Sequence, residues 1–415
     1  MIITPSAARA ALLEQAQQRI LITDGAFGTE IQNWKLSEAD YAGSLGLAKD
    51  QKGNNDILAL SAPHIPESIH RAYFAAGADI AETNTFSANR ISQADYAAEH
   101  LVREINLESA KMARRVADEF AAKDAKNGII RPRFVAGAIG PTNKTLSLSP
   151  DVNDPGYREI DWDFLVDVYR EQAAALIEGG ADFILIETVF DTLNCKAGIM
   201  AIKLLEAELG REVPVMLSMT LTDLSGRNLS GHTVEAFWYA VRHAKPLTIG
   251  LNCSFGATQL RPHVRALSAI ADAAIMVYPN AGLPNELGAY DEEPPTTAGL
   301  VKEWADHGQV NVLGGCCGST PDHIKAIADA AIMVYPNAGL PNELGEYDEL
   351  PETTAALVRE WAEAGQVNVL GGCCGSTPEH IAAIARAAAA LPPRQLPELA
   401  PLTRLAGLEP FVMAA

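Results

Sequence analysis

The sequence predicts an α/β protein, a (βα)8 TIM barrel with a duplicated (βα)2 segment near its C-terminus. Three observations predict this fold. Short apolar runs of strand length alternate with longer stretches of helical periodicity. Several helices end in glycine just before the next strand, as at Gly77-Ala78-Asp79. Hydrophobic residues make up 48% of the chain but aromatic residues only 6%, which favours an aliphatic core of parallel strands covered by helices.

The order of the predicted elements supports a closed barrel. Strict alternation of strand and helix implies a parallel sheet with right-handed crossovers. Eight such units close a barrel whose interior is filled by side chains. The predicted strands are 20–23, 79–82, 134–138, 183–186, 215–218, 247–251, 274–278 and 310–313. The predicted helices include 66–76, 97–122, 164–178, 234–243, about 297–307, and one that begins at residue 321.

An internal repeat makes the chain too long for one barrel. Residues 271–327 recur as residues 328–384, with 48 of 57 positions identical. Each copy encodes two βα units, so both copies together would give ten units where a barrel needs eight. We predict a barrel module over residues 1–330, closed by the first copy, and a tail over residues 385–415. The second copy competes for barrel closure in the alternative arrangement, where the first copy loops out at little entropic cost.

Charge and composition exclude several classes of protein. The formal net charge of −20 disfavours binding to nucleic acid or to anionic lipid. No apolar run reaches the ~20 residues that cross a bilayer, and the N-terminus does not resemble a signal peptide. Six cysteines, four of them in two adjacent pairs, do not suit a disulfide framework. We therefore expect a cytoplasmic protein whose thiols serve metal binding or catalysis.

Polar residues follow each predicted strand. In eight-stranded barrels the reactive residues lie where the strands run into the following loops. A series of such residues in register predicts a functional site at that end of the barrel. The residues are Asp24, Glu82, Asn84, Thr142, Glu187, Thr220, Asn252, Cys253, Asn280, Cys316 and Cys317.

Three of these residues are thiols. Cys253, Cys316 and Cys317 offer soft ligands that favour zinc and leave a fourth tetrahedral position open. Neighbouring residues of a regular strand point to opposite faces, so both members of the pair reach one metal only if the backbone turns. The flanking glycines 314, 315 and 318 are expected to allow that turn. Burial as small hydrophobic residues is the alternative interpretation.

The second repeat copy carries an equivalent pair, Cys373 and Cys374, which is the alternative source of two ligands. Whichever pair is used, three thiolates with an open position suit the activation of a thiol substrate. A free alkyl thiol with a pKa of ~8.5 is only about 3% ionised at pH 7, and coordination to Zn²⁺ deprotonates it. Alkyl transfer to sulfur fits this ligand set better than hydrolysis does.

A thiol substrate with an amino-acid end also needs partners for its ammonium and carboxylate groups. The acids Asp24 and Glu187 are candidates for the ammonium, although a turn residue and a buried satisfied acid are the alternatives. Backbone N–H groups of residues 25–28 are candidates for the carboxylate. For Glu82 and Asn84, a role in substrate binding and a structural role in holding the neighbouring loops in place are equally good interpretations. The predicted substrate-binding residues are Asp24, Gly25, Ala26, Phe27, Glu82, Asn84, Glu187 and Asn252; Cys195 is expected to be simply buried.

Several of these motifs resemble the homocysteine-binding module of cobalamin-dependent methionine synthase, over about residues 15 to 385. The Gly250-Leu251-Asn252-Cys253 and Gly314-Gly315-Cys316-Cys317-Gly318 stretches are typical of homocysteine S-methyltransferases in general. Stretches 52–56 and 149–155 favour the cobalamin-dependent branch. The remaining resembling stretches are 24–32, 82–86, 140–143 and 187–192.

The resemblance implies that Cys253 and a cysteine pair hold zinc and that homocysteine enters as the fourth ligand, with Asp24 and Glu187 near its amino group. It implies methylcobalamin as the methyl donor, bound on another domain or protein, with cobalamin-binding and folate-binding domains or subunits as partners. The spacing from Cys253 to Cys316 is similar to that of the family, whereas residues 405–410 resemble the family's linker to the folate domain. The alternatives are a betaine- or S-methylmethionine-dependent enzyme and a non-catalytic zinc- and homocysteine-binding remnant.

Overall fold

A ring of eight parallel strands forms the centre of the described part of the chain. The computed structural model describes residues 3–331, single residues between 352 and 386, and residues 404–406 and 410–412. The strands are β1 (Leu21–Ile22), β2 (Ile80–Glu82), β3 (Phe134–Ile139), β4 (Phe183–Val189), β5 (Val215–Met219), β6 (Thr248–Gly256), β7 (Ala274–Asn280) and β8 (Val312–Leu313).

The strands pair in sequence order, and the last one returns to the first. β8 pairs in parallel with β1, with Leu21 opposite Val312. Between β1 and β2 the ring is completed by a bridge from Thr23 to Ile80 and by the Asp24 N–H, which donates to the Ile80 carbonyl at 3.1 Å. The predicted (βα)8 fold class is confirmed.

Helices surround the barrel in the expected alternation. Those of the described residues are α1 (Ala7–Gln18), α2 (Phe27–Asn33), α3 (Glu38–Ala42), α4 (Leu58–Ser61), α5 (His64–Ala76), α6 (Arg90–Gln93), α7 (Val102–Lys126), α8 (Trp162–Glu178), α9 (Thr192–Leu209), α10 (Val234–Val241), α11 (Ala257–Ile270), α12 (Pro294–Asp306) and α13 (Pro321–Ala331). Short 3-10 turns occupy Asn55–Ile57, Ala94–Tyr96, Glu99–Leu101 and Arg242–Ala244. None of these helices is long and apolar enough to span a membrane.

One predicted helix begins in the wrong place. The sequence predicts a helix over 97–122, whereas α7 begins at Val102 and ends at Lys126. Ala97 has a left-handed backbone with φ 54°, which ends the preceding 3-10 turn and breaks the helical path. The alanine-rich sequence gives no local sign of this break.

The alternation of side chains along the strands divides the core in two. Residues of one parity pack against the outer helices. Residues of the other parity fill the barrel interior, where Leu12 and Ala16 of α1 cover the amino end. The interior strand residues include Leu21, Ile80, Phe134, Phe183, Leu185, Met216, Met276, Tyr278 and Val312.

The same alternation places acids at the carboxyl end of the barrel. Glu82 lies two residues beyond Ile80, and Glu187 lies two residues beyond Leu185, so both side chains follow the inward-facing parity. Both are buried or nearly so. The apolar interior thus ends in a layer of carboxyl groups.

The first repeat copy supplies β7 and β8, which both lie within residues 271–327. Its opening tetrapeptide, Ala-Asp-Ala-Ala, leads into β7 at residues 271–274, but the same four residues complete α13 at 328–331. Tertiary contacts therefore decide the conformation of this tetrapeptide. The alternative pair Cys373 and Cys374 lies outside the described residues, and the domain bounds stay a prediction.

The tail contributes a small hairpin. Strands β9 (Arg404–Ala406) and β10 (Pro410–Val412) pair antiparallel and lie beside α10. The tail thus contacts a barrel helix in the same structure in which β8 of the first copy pairs with β1. Packing of the tail on the barrel does not require the first copy to loop out.

Candidate metal and substrate site

Three thiols converge at the carboxyl end of the barrel. Cys253 lies within β6, and Cys316 and Cys317 lie in the turn that follows β8. Their sulfur atoms all lie within 4.8 Å of one another, and the Cys253 and Cys317 sulfurs are 3.7 Å apart. In a tetrahedral site with Zn–S bonds of ~2.3 Å, two sulfurs lie about 3.8 Å apart. The observed spacing therefore fits a tetrahedral metal ion held by three thiolates.

The backbone of β6 is irregular where it presents its thiol. Cys253 and Ser254 both have a left-handed φ of 59°, and the pairing of β6 with β7 shifts between Asn252 and Gly256. Such conformations are uncommon for residues other than glycine and occur often at functional sites. The irregularity turns the Cys253 side chain toward the loop that follows β8.

The glycines around the cysteine pair serve two purposes. Gly318 has a φ of 81°, which confirms the expected turn at that residue. Gly314 and Gly315 are not left-handed, and the expectation that they supply backbone freedom is wrong. A Cβ atom would collide with the Thr23 side chain at Gly314 and with the Ser319 side chain at Gly315. These two glycines instead allow close packing at the junction of β8 and β1.

Hydrogen bonds among the thiols favour ionisation of one of them. Bonds from the thiols of Cys253 and Cys316 lower the pKa of Cys317 to about 3, and the Tyr290 hydroxyl contributes another hydrogen bond. The bond between Cys316 and Cys253 raises the pKa of Cys316, and its bond to Cys317 and its burial act in the same direction. The cluster therefore stabilises one thiolate through hydrogen bonds from the neighbouring thiols.

Three acids form a buried cluster below the thiols. The Glu82 N–H donates to Asp24 Oδ2 at 3.0 Å, and the Thr23 hydroxyl donates to Asp24 Oδ1 at 3.3 Å. The Tyr278 hydroxyl lies 3.5 Å from Glu187 Oε2. The inward parity of β2, β4 and β7 brings Glu82, Glu187 and Tyr278 together, and Asp24 joins them from the loop after β1.

Burial shifts all three acids toward their neutral forms. Burial raises the pKa of Glu82 to about 7. Burial, with the charge of Glu82 as the second cause, raises the pKa values of Asp24 and Glu187 well above their usual range. A cation placed among the three carboxyl groups would favour their ionised forms, so the cluster is suited to receive an ammonium group.

A cavity of about 970 Å³ connects the thiols with the acids. Cys253, Cys316 and Cys317 line it together with Glu82 and Glu187. Among the described residues that line it there is no Lys, Arg or His. Its polar lining is therefore acidic or neutral, apart from backbone N–H groups.

One wall of the cavity is the start of α2. Ala26, Phe27 and Gly28 line the cavity, and a Cβ atom at Gly28 would meet nothing within 4 Å. The first N–H groups of a helix have no carbonyl of a preceding turn to bond. Ala26 is an exception, because its N–H donates to the Ser319 carbonyl at 3.3 Å. Phe27 and Gly28 are thus better placed than Ala26 to bind a carboxylate.

The other predicted substrate residues have less direct positions. Asn84 lines the cavity, but its side chain also donates to the Asn55 carbonyl at 2.7 Å, which pins the neighbouring loop. Gly25 packs against Tyr73 and the Ser319 carbonyl. The substrate-binding roles of these residues, and of the buried Asp24, stay predictions.

Asn252 organises the backbone around the thiols. Its Oδ1 accepts from the Ser218 hydroxyl at 2.7 Å and from the Thr188 N–H at 3.1 Å. Its Nδ2 donates to the Thr188 hydroxyl at 2.8 Å and lies 4.0 Å from the Cys316 sulfur. These bonds hold the left-handed Thr188, whose φ is 53°. The contact between Asn252 and Cys316 helps to orient this thiol. The predicted contact of Asn252 with the substrate stays a prediction.

Sequence reasoning missed three tyrosines of the site. Tyr278 contacts Glu187 and could have been found, because it shares the inward parity of β7. Tyr290 hydrogen-bonds Cys317 from a loop with no periodic pattern, and Tyr73 reaches the site from α5. No local feature of the sequence marks either of them.

Comparison with known proteins supports the same family. The sequence model described as homocysteine S-methyltransferase matches residues 21–331 and again residues 328–388, the latter spanning the second repeat copy. The chain is similar in structure to the metallated and oxidized forms of the homocysteine methyltransferase MmuM from Escherichia coli, each with a TM-score of 0.60 and 21% identity. Each comparison covers 78% of this chain and 99% of the other. At this identity the likeness shows the fold.

The match of the family model over most of the chain confirms the family to which the cysteine motifs point. The chain belongs to the homocysteine S-methyltransferase family.

Proposed function

We propose that this protein transfers a methyl group to the thiol of homocysteine, giving methionine, and that Cys253, Cys316 and Cys317 hold the zinc ion that the reaction uses. One observation carries this proposal. Three sulfurs that lie within 4.8 Å of one another line a cavity that Glu82 and Glu187 also line. When bound there, zinc would ionise the incoming thiol and leave its sulfur nucleophilic.

The residues of the cavity suit the amino-acid end of homocysteine. Asp24, Glu82 and Glu187 would receive the ammonium group, which compensates the repulsion among the three carboxyl groups. The N–H groups of Phe27 and Gly28 would receive the carboxylate. This arrangement would direct the substrate sulfur toward the thiols, because Glu82 and Glu187 line the same cavity as the three cysteines.

For the methyl donor we propose methylcobalamin, carried on a separate domain or partner protein. A cavity of about 970 Å³ lies at the upper end of small-molecule sites and leaves room beyond homocysteine for the reactive end of a donor. Residues 53–56 of the cobalamin-type stretch line this cavity, and Asp56 accepts the Ser87 N–H at 3.1 Å. A cobalamin-binding and a folate-binding domain or subunit would then be partners.

A donor assay tests this function. Zinc-loaded protein is mixed with homocysteine and, separately, with methylcobalamin, S-methylmethionine or betaine, and methionine is measured over time. We expect zinc-dependent methionine formation with methylcobalamin. Formation with only one of the other donors would contradict the cobalamin assignment and support the corresponding relative. Zinc and homocysteine binding without turnover from any donor would support a non-catalytic remnant.

The acid cluster predicts a pH dependence of amino-acid binding. Because burial raises the pKa of Glu82 to about 7, this acid is protonated below that pH in the free protein and ionises when an ammonium group binds. Affinity for norleucine, which has the shape of methionine without sulfur, should therefore rise with pH through about 7. The affinity can rise by at most about tenfold per pH unit for each proton that is released on binding.

Isothermal titration between pH 6 and pH 8, in buffers of different ionisation enthalpy, measures both the affinity and the protons released. Glu82→Gln should flatten the profile. Equal affinity at pH 6 and pH 8 in the unmodified protein would contradict this role of the cluster.

A further inference from the structure

The substrate loop and the thiol loop are joined across the junction of β8 and β1. We call residues 24–29 the substrate loop and residues 314–319 the thiol loop. Three hydrogen bonds connect them directly. The Ala26 N–H donates to the Ser319 carbonyl at 3.3 Å, and the Gly315 N–H donates to the Asp24 carbonyl at 3.2 Å. The Gly318 N–H donates to the Thr29 hydroxyl at 3.1 Å.

A buried tyrosine bridges the same two loops. The Tyr73 hydroxyl, from α5, lies 3.1 Å from the Ser319 carbonyl and 3.3 Å from the Ala26 carbonyl. The Tyr73 side chain is completely buried. A Cβ atom at Gly25 would lie 2.8 Å from the Tyr73 ring and 3.1 Å from the Ser319 carbonyl. The absent side chain of Gly25 is thus what lets the tyrosine reach both loops.

We propose that Tyr73 is a positioning residue that couples metal binding to amino-acid binding. This inference rests on the proposed function. A metal bound by Cys316 and Cys317 fixes the thiol loop, and Ser319 lies two residues beyond Cys317. Through Tyr73 and the direct hydrogen bonds, the same restraint reaches Ala26, which is followed by the N–H groups that would receive the carboxylate.

The coupling must act in both directions. A metal that orders the thiol loop lowers the entropic cost of binding an amino acid at the substrate loop, and an amino acid lowers the cost of binding the metal by the same factor. Of the hydrogen bonds described above that join the two loops, those of the Tyr73 hydroxyl can be removed by substituting a residue that belongs to neither loop. Other parts of the buried ring would stay packed in a Tyr73→Phe variant.

The coupling is tested by measuring the affinity for norleucine in zinc-loaded and in zinc-free protein. Norleucine has no sulfur, so it cannot itself bond to the zinc as homocysteine would. In the unmodified protein we expect norleucine to bind more tightly when zinc is bound. In Tyr73→Phe we expect the ratio of the two affinities to fall by about fivefold, the effect of one hydrogen bond. Tyr41→Phe is the matched control, because Tyr41 is buried and its hydroxyl bonds Asn55 away from both loops.

A purely structural role would lower the thermal stability of Tyr73→Phe but leave the affinity ratio unchanged, and that result would overturn the inference. Gly25→Ala provides a second variant if Tyr73→Phe does not fold, since its methyl group would separate Tyr73 from Ser319 and should also reduce the ratio. A ratio of one in the unmodified protein would likewise overturn the inference. Failure to bind either zinc or norleucine would instead contradict the proposed function.

Discussion

Cys253→Ala protein is expected to purify without stoichiometric zinc and to methylate homocysteine at least about a thousandfold more slowly than the unmodified protein. Cys253 is the thiol contributed by β6, and its sulfur lies 3.7 Å from that of Cys317. Without it, two thiols remain, too few for a stable tetrahedral site. Loss of a Lewis acid that ionises the substrate removes several kcal/mol of transition-state stabilisation, which corresponds to this factor.

Metal analysis by mass spectrometry and a methionine assay measure the two effects. Cys195→Ala is the matched control, because Cys195 is a buried cysteine of α9 outside the thiol cluster. That variant should retain zinc at full occupancy and lose only stability. Stoichiometric zinc in Cys253→Ala would contradict the assignment of this ligand.

The two cysteine pairs are expected to behave in opposite ways. The double variant Cys316→Ala with Cys317→Ala should lose zinc and activity as completely as Cys253→Ala. The double variant Cys373→Ala with Cys374→Ala should retain both. The reason is that β8 of the first copy pairs with β1, which brings the first pair beside Cys253.

This comparison is informative because the second copy preserves the interior of the first. Every position that differs between the copies is exposed or half-buried in the first copy, so the residue changes do not by themselves prevent the second copy from closing the barrel. If only the Cys373 and Cys374 variant lost zinc, the second copy would be the one that closes the barrel. The differing positions of the first copy are Ala289, Glu293, Pro295, Gly299, Lys302, Asp306, His307, Asp322 and Lys325.

The sequence alone predicts the barrel and much of the site. Strands alternate their side chains strictly, so the parity that buries Ile80 and Leu185 also predicts where Glu82 and Glu187 point. Thiols at strand ends are chemically distinctive, so the sequence also predicts that Cys253, Cys316 and Cys317 belong to the site. Both predictions depend on local pattern and on residue type.

What could not be predicted depends on contacts between distant segments. Tyr73 lies 246 residues before Ser319 in the chain, and nothing in the sequence of α5 indicates that they touch. Gly314 and Gly315 were expected to turn the chain, but the packing of Thr23 and Ser319 explains them better. The tetrapeptide Ala-Asp-Ala-Ala adopts two conformations in one chain, which no local rule can anticipate.

X-ray absorption at the zinc edge tests the central claim most directly. The unmodified protein is measured alone, with homocysteine and with norleucine. We expect three sulfur ligands at ~2.3 Å for the protein alone and with norleucine, and four when homocysteine is added. Fewer than three sulfurs in the protein alone, or no added sulfur with homocysteine, would contradict a three-thiolate site that binds the substrate thiol.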